Sequence, residues 1–217
     1  MLKKNKGLMI LTSVIILLPV AVGLLLWNRL PETVPTHWGF DGAPDGWSSR
    51  SFAVFVMPLI LLALHWLCLW VTSKDPKNKS QSSKIFNLIL WLVPALSLFG
   101  CGNIYAAALG WEFQINALMP AFLGLLFVIV GNYLPKTVQN RTIGIKIKWT
   151  LEDEANWNAT HRLAGKLWVI GGLVLIVAAF LPGNWHFSVM PLLLGVMVLV
   201  PVAYSWWFHS RQKGETR

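Results

Sequence analysis

Long runs without a charged residue constrain this chain more than any other feature. Residues 7–28 contain no Asp, Glu, Lys or Arg, and comparable runs recur along the sequence. A membrane-spanning helix needs about 20 mostly apolar residues, and helices satisfy their own backbone hydrogen bonds in lipid. The last run, 167–210, is long enough for two spans and is interrupted by the turn signal Pro182-Gly183-Asn184. We therefore predict six transmembrane helices, at about residues 8–27, 52–72, 85–109, 114–134, 164–181 and 188–208.

Composition excludes the main alternatives to a membrane protein. The chain is 55% hydrophobic and 12% charged, whereas soluble domains carry about 25% charged residues. Its two cysteines, Cys68 and Cys101, both lie late in their predicted spans, and successive spans run in opposite directions. The two side chains should therefore lie near opposite membrane faces, too far apart for a disulfide, and we expect both to be packing residues. The sequence therefore predicts an all-α integral membrane protein, and not a soluble enzyme, a disordered chain or a disulfide scaffold.

The distribution of basic residues predicts the orientation. With six spans, 16 of the 18 Lys and Arg residues fall on the side of the N-terminus, and only Arg29 and Arg50 fall on the other. The positive-inside rule then predicts that both termini are cytoplasmic. It also accounts for the net charge of +9 without a nucleic-acid partner. A cleaved signal peptide ending near Ala21-Val22-Gly23 is the alternative for span 1; because five more spans follow, we expect an uncleaved helix.

Two loops are long enough to carry function. The external loop 28–49 is rich in Pro, Gly, Asp and Trp, and Pro44-Asp45-Gly46 predicts a turn. His37, Asp41 and Asp45 could be metal ligands, but they match no recognised metal spacing, so we predict no metal. The expectation is an ordered loop that caps the outer face of the bundle.

The cytoplasmic loop 135–165 predicts a strand followed by a helix. Apolar residues alternate with Gly and Lys over 143–149, a period of two that indicates a short strand or extended segment. Thr150 precedes Leu-Glu-Asp-Glu, which indicates an N-cap with acids in the first turn. The helix is expected to run past Trp157 and His161 towards span 5, with His161 as a structural hydrogen-bonding residue and not a base.

Both loops contain motifs that resemble known families. The external segment TVPTHWGFDG (33–42), with DGW (45–47), resembles the outer-loop motif of a small membrane domain of uncharacterised role. The cytoplasmic segments GNYLPK (131–136), NRTIGIK (140–146), WTL (149–151) and WNATHRLAG (157–165) resemble the signature of the SdpI family. Their order and the six spans are similar to that family's architecture. We accordingly divide the chain into a two-span unit, 1–84, and a four-span SdpI-like unit, 85–217.

The resemblance implies a function, partners and a location. It implies a multi-pass protein of the bacterial cytoplasmic (inner) membrane that confers immunity to a secreted peptide toxin. It also implies a possible sensor role, in which the protein draws a cytosolic autorepressor to the membrane. It implies no cofactor and no catalytic residues, and it leaves the oligomeric state open.

The candidate contact residues follow from the two motifs. The toxin-facing candidates are His37, Trp38, Asp41, Asp45 and Trp47. The candidates for docking a cytoplasmic partner are Asn140, Arg141, Lys146, Trp149, Trp157, Thr160, His161 and Arg162.

Other function classes stay open. A small-solute transporter or channel would need a polar path, and the predicted spans offer little beyond His65 and a few Asn side chains. An outer-face membrane enzyme would use His37, Asp41 and Asp45, with Glu32 nearby, for acid–base or metal chemistry. A structural partner of another membrane complex is the third alternative.

Overall fold

Six long apolar helices dominate the fold, as the charge-free runs predict. The computed structural model describes residues 5–39, 42–111, 115–181 and 185–215. In these ranges, six helices are long and apolar enough to cross a membrane. They belong to α1 Lys6–Leu25, α2 Met57–Lys74, α3 Ser83–Ala108, α4 Ile115–Tyr133, α6 Glu154–Ala179 and α7 Trp185–Glu215. The predicted all-α multi-pass fold is confirmed, and the cytoplasmic placement of both termini stays a prediction.

Short elements connect these helices. A π-helical turn, Phe52–Val56, leads into α2, and 3₁₀ turns lie at Pro76–Ser80 and Leu134–Lys136. The single-turn helix α5, Lys148–Glu152, comes directly before α6.

The start of α6 differs from the prediction. Asp153, and not Thr150, is the N-cap residue, and its side chain accepts a hydrogen bond of 2.8 Å from the N–H of Ala155. From Glu154 to Ala179 the helix is continuous, so the predicted cytoplasmic helix and span 5 form one element. Its 26 residues extend about 39 Å, which is more than the hydrocarbon thickness of about 30 Å, so α6 is long enough to reach into the headgroup region.

The loop predicted to be external contains an antiparallel hairpin, which we call the outer hairpin. Strand β1, Thr33–Trp38, pairs with β2, Pro44–Ser49. The turn predicted at Pro44-Asp45-Gly46 is wrong, because these residues belong to β2. The chain reverses between Gly39 and Ala43, where the N–H of Gly39 bonds to the carbonyl of Ala43.

By packing, the chain divides into two compact units. The first contains Met1–Lys74 and Phe86–Ile115, and therefore includes most of α3. Near the outer hairpin, its core contains seven buried residues: Leu30, Val34, Ala53, Val54, Cys101, Ile104 and Tyr105. Helix α3 also bonds to α1, since Ser97 donates to the carbonyl of Ile16 and Tyr105 to that of Pro19.

The second unit contains Asp75–Ile85 and Asn116–Arg217. Helices α4 and α6 approach closely through glycines: a Cβ on Gly172 would lie 2.5 Å from the carbonyl oxygen of Gly124. Helices α6 and α7 are joined by Asn156, which donates to the carbonyl of Ser205 and accepts from the Ser205 hydroxyl. This division describes packing, and the sequence boundary placed between 84 and 85 stays a prediction.

Candidate functional site

The outer hairpin brings two of the predicted toxin-facing side chains together and leaves a third exposed on β2. His37 Nδ1 lies 2.5 Å from Asp45 Oδ1, and the two side chains are 73% and 52% exposed. Trp47 is 59% exposed. Exposed ion pairs contribute little to stability, and a large exposed indole is characteristic of a recognition surface. These exposed side chains can therefore bind an incoming ligand without disturbing the core.

A bulge in the hairpin sets the position of the His37–Asp45 pair. The register shifts between Pro35 and His37, and again between His37 and Trp38. His37 faces Gly46, where a Cβ would lie 2.9 Å from the Cβ of His37. Bulges of this kind redirect side chains, and here glycine permits the close approach.

The remaining two outer candidates lie elsewhere. Trp38 is partly buried and packs against the core cluster of the first unit, which includes the buried side chain of Val34. On the same inward side, Thr36 and Ser48 share a hydrogen bond of 2.9 Å. Asp41 lies outside the described residues. Among the residues that are described, no group of three His, Cys, Asp or Glu side chains could hold a metal ion.

Arg50 ties the base of the hairpin to the end of α1. Its guanidinium donates to the carbonyls of Trp27 at 2.6 Å and Leu30 at 2.9 Å. It also lies 4.2 Å from the centroid of the Trp27 ring. Because a planar guanidinium can stack and donate at once, one side chain fixes the hairpin to the first unit.

In the second unit, two loops form a joint surface, which we call the platform: residues 75–81 and 137–153. Gln81 donates to the carbonyl of Val138 and accepts from its N–H, as a paired strand would. Asp75 accepts from the N–H of Arg141, and Asn78 donates to the hydroxyl of Thr142, both at 2.6 Å. The sequence analysis missed these 75–81 contacts, because their partners lie more than 50 residues away.

Two aromatic side chains of α6 hold the platform loop 137–153 in place by hydrogen bonds to its backbone. The indole N–H of Trp157 donates to the carbonyl of Thr137 at 2.9 Å. His161 Nε2 accepts from the N–H of Ile145 at 2.9 Å, so its Nδ1 carries the proton and donates to the carbonyl of Trp157. The two rings stack with centroids 4.0 Å apart. His161 therefore has the structural role that the sequence analysis assigned to it.

Of the two alternatives predicted over 143–149, the strand does not form, since these described residues pair with no other strand. Ile147 has extended backbone, with φ −110° and ψ 162°, directly before α5 begins at Lys148. Side chains take the place of a partner strand: Asn140 bonds to Ile143, and the Thr150 hydroxyl accepts from Ile147 and donates to Ile145. The alternation of apolar and polar residues was present. However, side chains of the platform and of α6 bond to the backbone N–H and carbonyl groups that a partner strand would otherwise pair.

The structure separates the eight docking candidates into two groups. Asn140, Trp157, Thr160 and His161 are buried. Arg141, Lys146 and Arg162 are exposed, and Trp149 is half-buried beside His209, with ring centroids 6.4 Å apart. Only the second group is accessible to a partner, whereas the buried residues shape the surface.

The exposed charge of the platform is predominantly positive. Asp75 uses both carboxylate oxygens to accept backbone N–H groups, from Lys77 and Arg141. Asp153 caps α6. In the described part of the chain, no Lys or Arg forms an ion pair with a carboxylate. The exposed cations Arg141 and Lys146 are thus not neutralised by a described carboxylate, and Lys146 donates only to the carbonyl of Thr142.

Comparisons with known proteins point to one family. The model of the SdpI/YfhL protein family matches residues 136–205, and that of a domain of unknown function (DUF1648) matches residues 14–62. The chain is 27% identical over 214 residues to the immunity protein SdpI of Bacillus subtilis (strain 168), covering 98% of this chain and 99% of the relative. It is 32% identical over 147 residues to an uncharacterized protein of Archaeoglobus fulgidus, covering 58% of this chain and 78% of that protein. No solved structure matches significantly.

Proposed function

Because the chain belongs to the SdpI family, we propose that it is an immunity protein that protects a bacterial cytoplasmic membrane against a secreted peptide toxin. The similarity to the immunity protein of Bacillus subtilis, which extends over 98% of the chain, carries this proposal. The multi-pass fold supports it, because a toxin that attacks the membrane would meet this chain there.

The outer hairpin is the surface that we propose for the toxin. Its exposed Trp47 offers an apolar anchor, and Asp45 beside His37 offers a carboxylate to a cationic or amphipathic peptide. The hairpin is held to the first unit through Arg50, so little ordering entropy is lost when a peptide binds.

A survival assay tests the proposal. The chain is expressed in a bacterium sensitive to the sporulation-delaying peptide toxin, and growth under toxin is compared with a vector control at matched protein level. Protection is the expected result. Unprotected cells that contain the inserted, folded protein would refute immunity to this toxin.

We expect Trp47→Ala to lower the tolerated toxin concentration by about tenfold, because a Trp side chain that becomes buried when the toxin binds contributes about 1–2 kcal/mol to binding. Trp111→Ala is the matched control, since Trp111 is exposed to the same 59% but lies outside the hairpin. The measurement is the toxin concentration that halves growth. Equal losses in the two variants would assign the effect to membrane anchoring instead.

We further propose that the platform is where a cytosolic repressor docks when the toxin is present. Its exposed cations, Arg141 and Lys146, lie on a loop that many hydrogen bonds hold in one conformation. Such a rigid, charged surface favours specific recognition of a soluble partner.

Charge reversal separates this sensing role from immunity. We expect Arg141→Glu with Lys146→Glu to abolish toxin-induced transcription from the promoter of the chain's own gene, while survival under toxin is unchanged. The control is Lys84→Glu, an equally exposed cation outside the platform. Undiminished induction in the double variant would place the docking surface elsewhere.

A further inference from the structure

A basic side chain lies over a tryptophan ring of the same helix at the C-terminal ends of two spans, one in each unit. On α7, the guanidinium of Arg211 lies 4.5 Å from the centroid of the Trp207 ring. On α2, the ammonium of Lys74 lies 5.4 Å from that of the Trp70 ring. In both pairs the cation follows the tryptophan by four residues, which places both side chains on one helix face.

The face of α7 that carries the Arg211 pair is one of the exposed faces of this helix. Val196, Val200 and Trp207 are 38%, 40% and 43% exposed, and their spacing continues to Arg211. Successive steps of four and seven residues rotate by only about 40° and 20° around a helix. Arg211 therefore extends an apolar stripe, at the level where the hydrocarbon ends and headgroups begin.

Helix α2 repeats the arrangement. Trp66 and Trp70 are 45% and 57% exposed, and Lys74 follows at the same interval of four residues. The stripe again begins with exposed aliphatic side chains, Leu59 and Ile60. Two helices of different units thus show the same order of apolar stripe, indole and cation.

Neither cation forms an ion pair with a carboxylate whose side chain the structure describes. Stacking uses the flat face of the Arg211 guanidinium and leaves its N–H edge free for an oxyanion. Arginine binds phosphate with two parallel hydrogen bonds, which are among the stronger hydrogen bonds in proteins.

We propose that the Arg211–Trp207 pair is a binding site for the phosphate of an anionic phospholipid whose acyl chains lie along the exposed stripe of α7, and that Lys74–Trp70 is a second, weaker site of the same kind. The indole fixes the cation at headgroup depth. A lipid with net negative charge is favoured over a zwitterionic lipid, because the choline group of the latter repels the same cation.

Lipid binding to the full chain, measured by native mass spectrometry, tests the site. The probes are dioleoyl phosphatidylglycerol and dioleoyl phosphatidylcholine, titrated separately into the delipidated protein in detergent. The wild-type protein is expected to bind phosphatidylglycerol more tightly. Arg211→Gln should weaken phosphatidylglycerol binding about fivefold, as expected for one cation near an anionic surface.

Matched variants keep the result specific. Arg141→Gln removes the same charge from an exposed arginine of the platform loop and is expected to leave binding unchanged. Trp207→Leu retains the cation and an apolar residue, and is expected to weaken binding less than Arg211→Gln. Arg211→Lys keeps the charge without the two parallel hydrogen bonds and is expected to bind more tightly than Arg211→Gln but less tightly than the wild type. An unchanged thermal unfolding temperature of Arg211→Gln excludes a folding defect.

Three outcomes would overturn the proposal. Equal affinity of the wild-type protein for the two lipids would remove the preference for an anionic headgroup. Equal loss in Arg211→Gln and Arg141→Gln would show a diffuse response to total charge. Unchanged binding in Arg211→Gln would show that the stacked pair holds no lipid.

Discussion

Gly144→Ala is expected to destabilise the protein by about 3 kcal/mol, because two costs add: about 1–3 kcal/mol of backbone strain and about 1–3 kcal/mol for an orphaned N–H group. Gly144 has a φ of +111°, in a region that side chains rarely adopt. A Cβ there would lie 2.4 Å from His161 Nε2, the atom that accepts from the N–H of Ile145. The measurement is the free energy of unfolding in mixed micelles.

The His161 ring cannot move away from the added methyl group. Its Nδ1 is bonded to the carbonyl of Trp157, and its face is stacked on the Trp157 indole. A Cβ on Gly144 would also lie 3.1 Å from that indole. The methyl group is therefore expected to displace the loop and break the bond between Ile145 and His161.

Gly110→Ala is the matched control. Gly110 also has a positive φ, +71°, but a Cβ there would meet nothing within 4 Å. Gly110→Ala is therefore expected to lower the free energy of unfolding only by the backbone strain, about 1–2 kcal/mol. The larger loss in Gly144→Ala then reports the clash with His161. Equal destabilisation would mean that the loop tolerates the methyl group and that His161 does not hold it.

The transmembrane spans could be predicted because a single local property defines them. A run without charged residues is visible in the sequence, and it placed α1, observed at Lys6–Leu25, within about two residues of each end. The end of α7 was harder, because this helix extends to Glu215, well past the predicted end of span 6. Once a helix leaves the lipid, hydropathy no longer marks where it stops.

The loops were harder to predict because their contacts are distant in sequence. Periodicity over 143–149 was real, but a strand needs a partner, and here side chains such as His161 and Thr150 satisfy the backbone. The hairpin was missed for the opposite reason: Pro35 and Pro44 disrupt the alternation that marks a strand, while the pairing of β1 with β2 is regular at Val34 and Ser48. Local patterns indicate which conformations are possible, and tertiary partners select among them.

The site candidates show the same limit. Motif resemblance identified Trp157 and His161 as important, and the structure places both of them inside the second unit. Resemblance does not distinguish a residue that touches a partner from one that shapes the surface. Burial makes that distinction, and it leaves as accessible candidates the exposed Arg141, Lys146 and Arg162 and the half-buried Trp149.

Asn140→Ala is expected to destabilise the protein by about 3 kcal/mol, since each buried backbone group left without a partner costs about 1–3 kcal/mol. Asn140 is 1% exposed. Its Nδ2 donates to the carbonyls of Val138 and Ile143, and its Oδ1 accepts from the N–H groups of Thr142 and Ile143 and from the Thr142 hydroxyl. Alanine removes the partner of the Thr142 and Ile143 N–H groups and of the Ile143 carbonyl, whereas the Val138 carbonyl keeps its bond from Gln81. The thermal unfolding temperature should fall with the free energy.

Asn132→Ala is the control, because Asn132 is exposed and accepts only a long bond of 3.4 Å from Lys136. It is expected to change the free energy of unfolding by less than about 0.5 kcal/mol, as surface substitutions usually do. The comparison also decides the role of Asn140 in docking. If Asn140→Ala lost toxin-induced transcription at an unchanged unfolding temperature, Asn140 would be a contact residue. If the unfolding temperature fell and toxin-induced transcription was recovered at a lower growth temperature, Asn140 would position Arg141 and contact no partner itself.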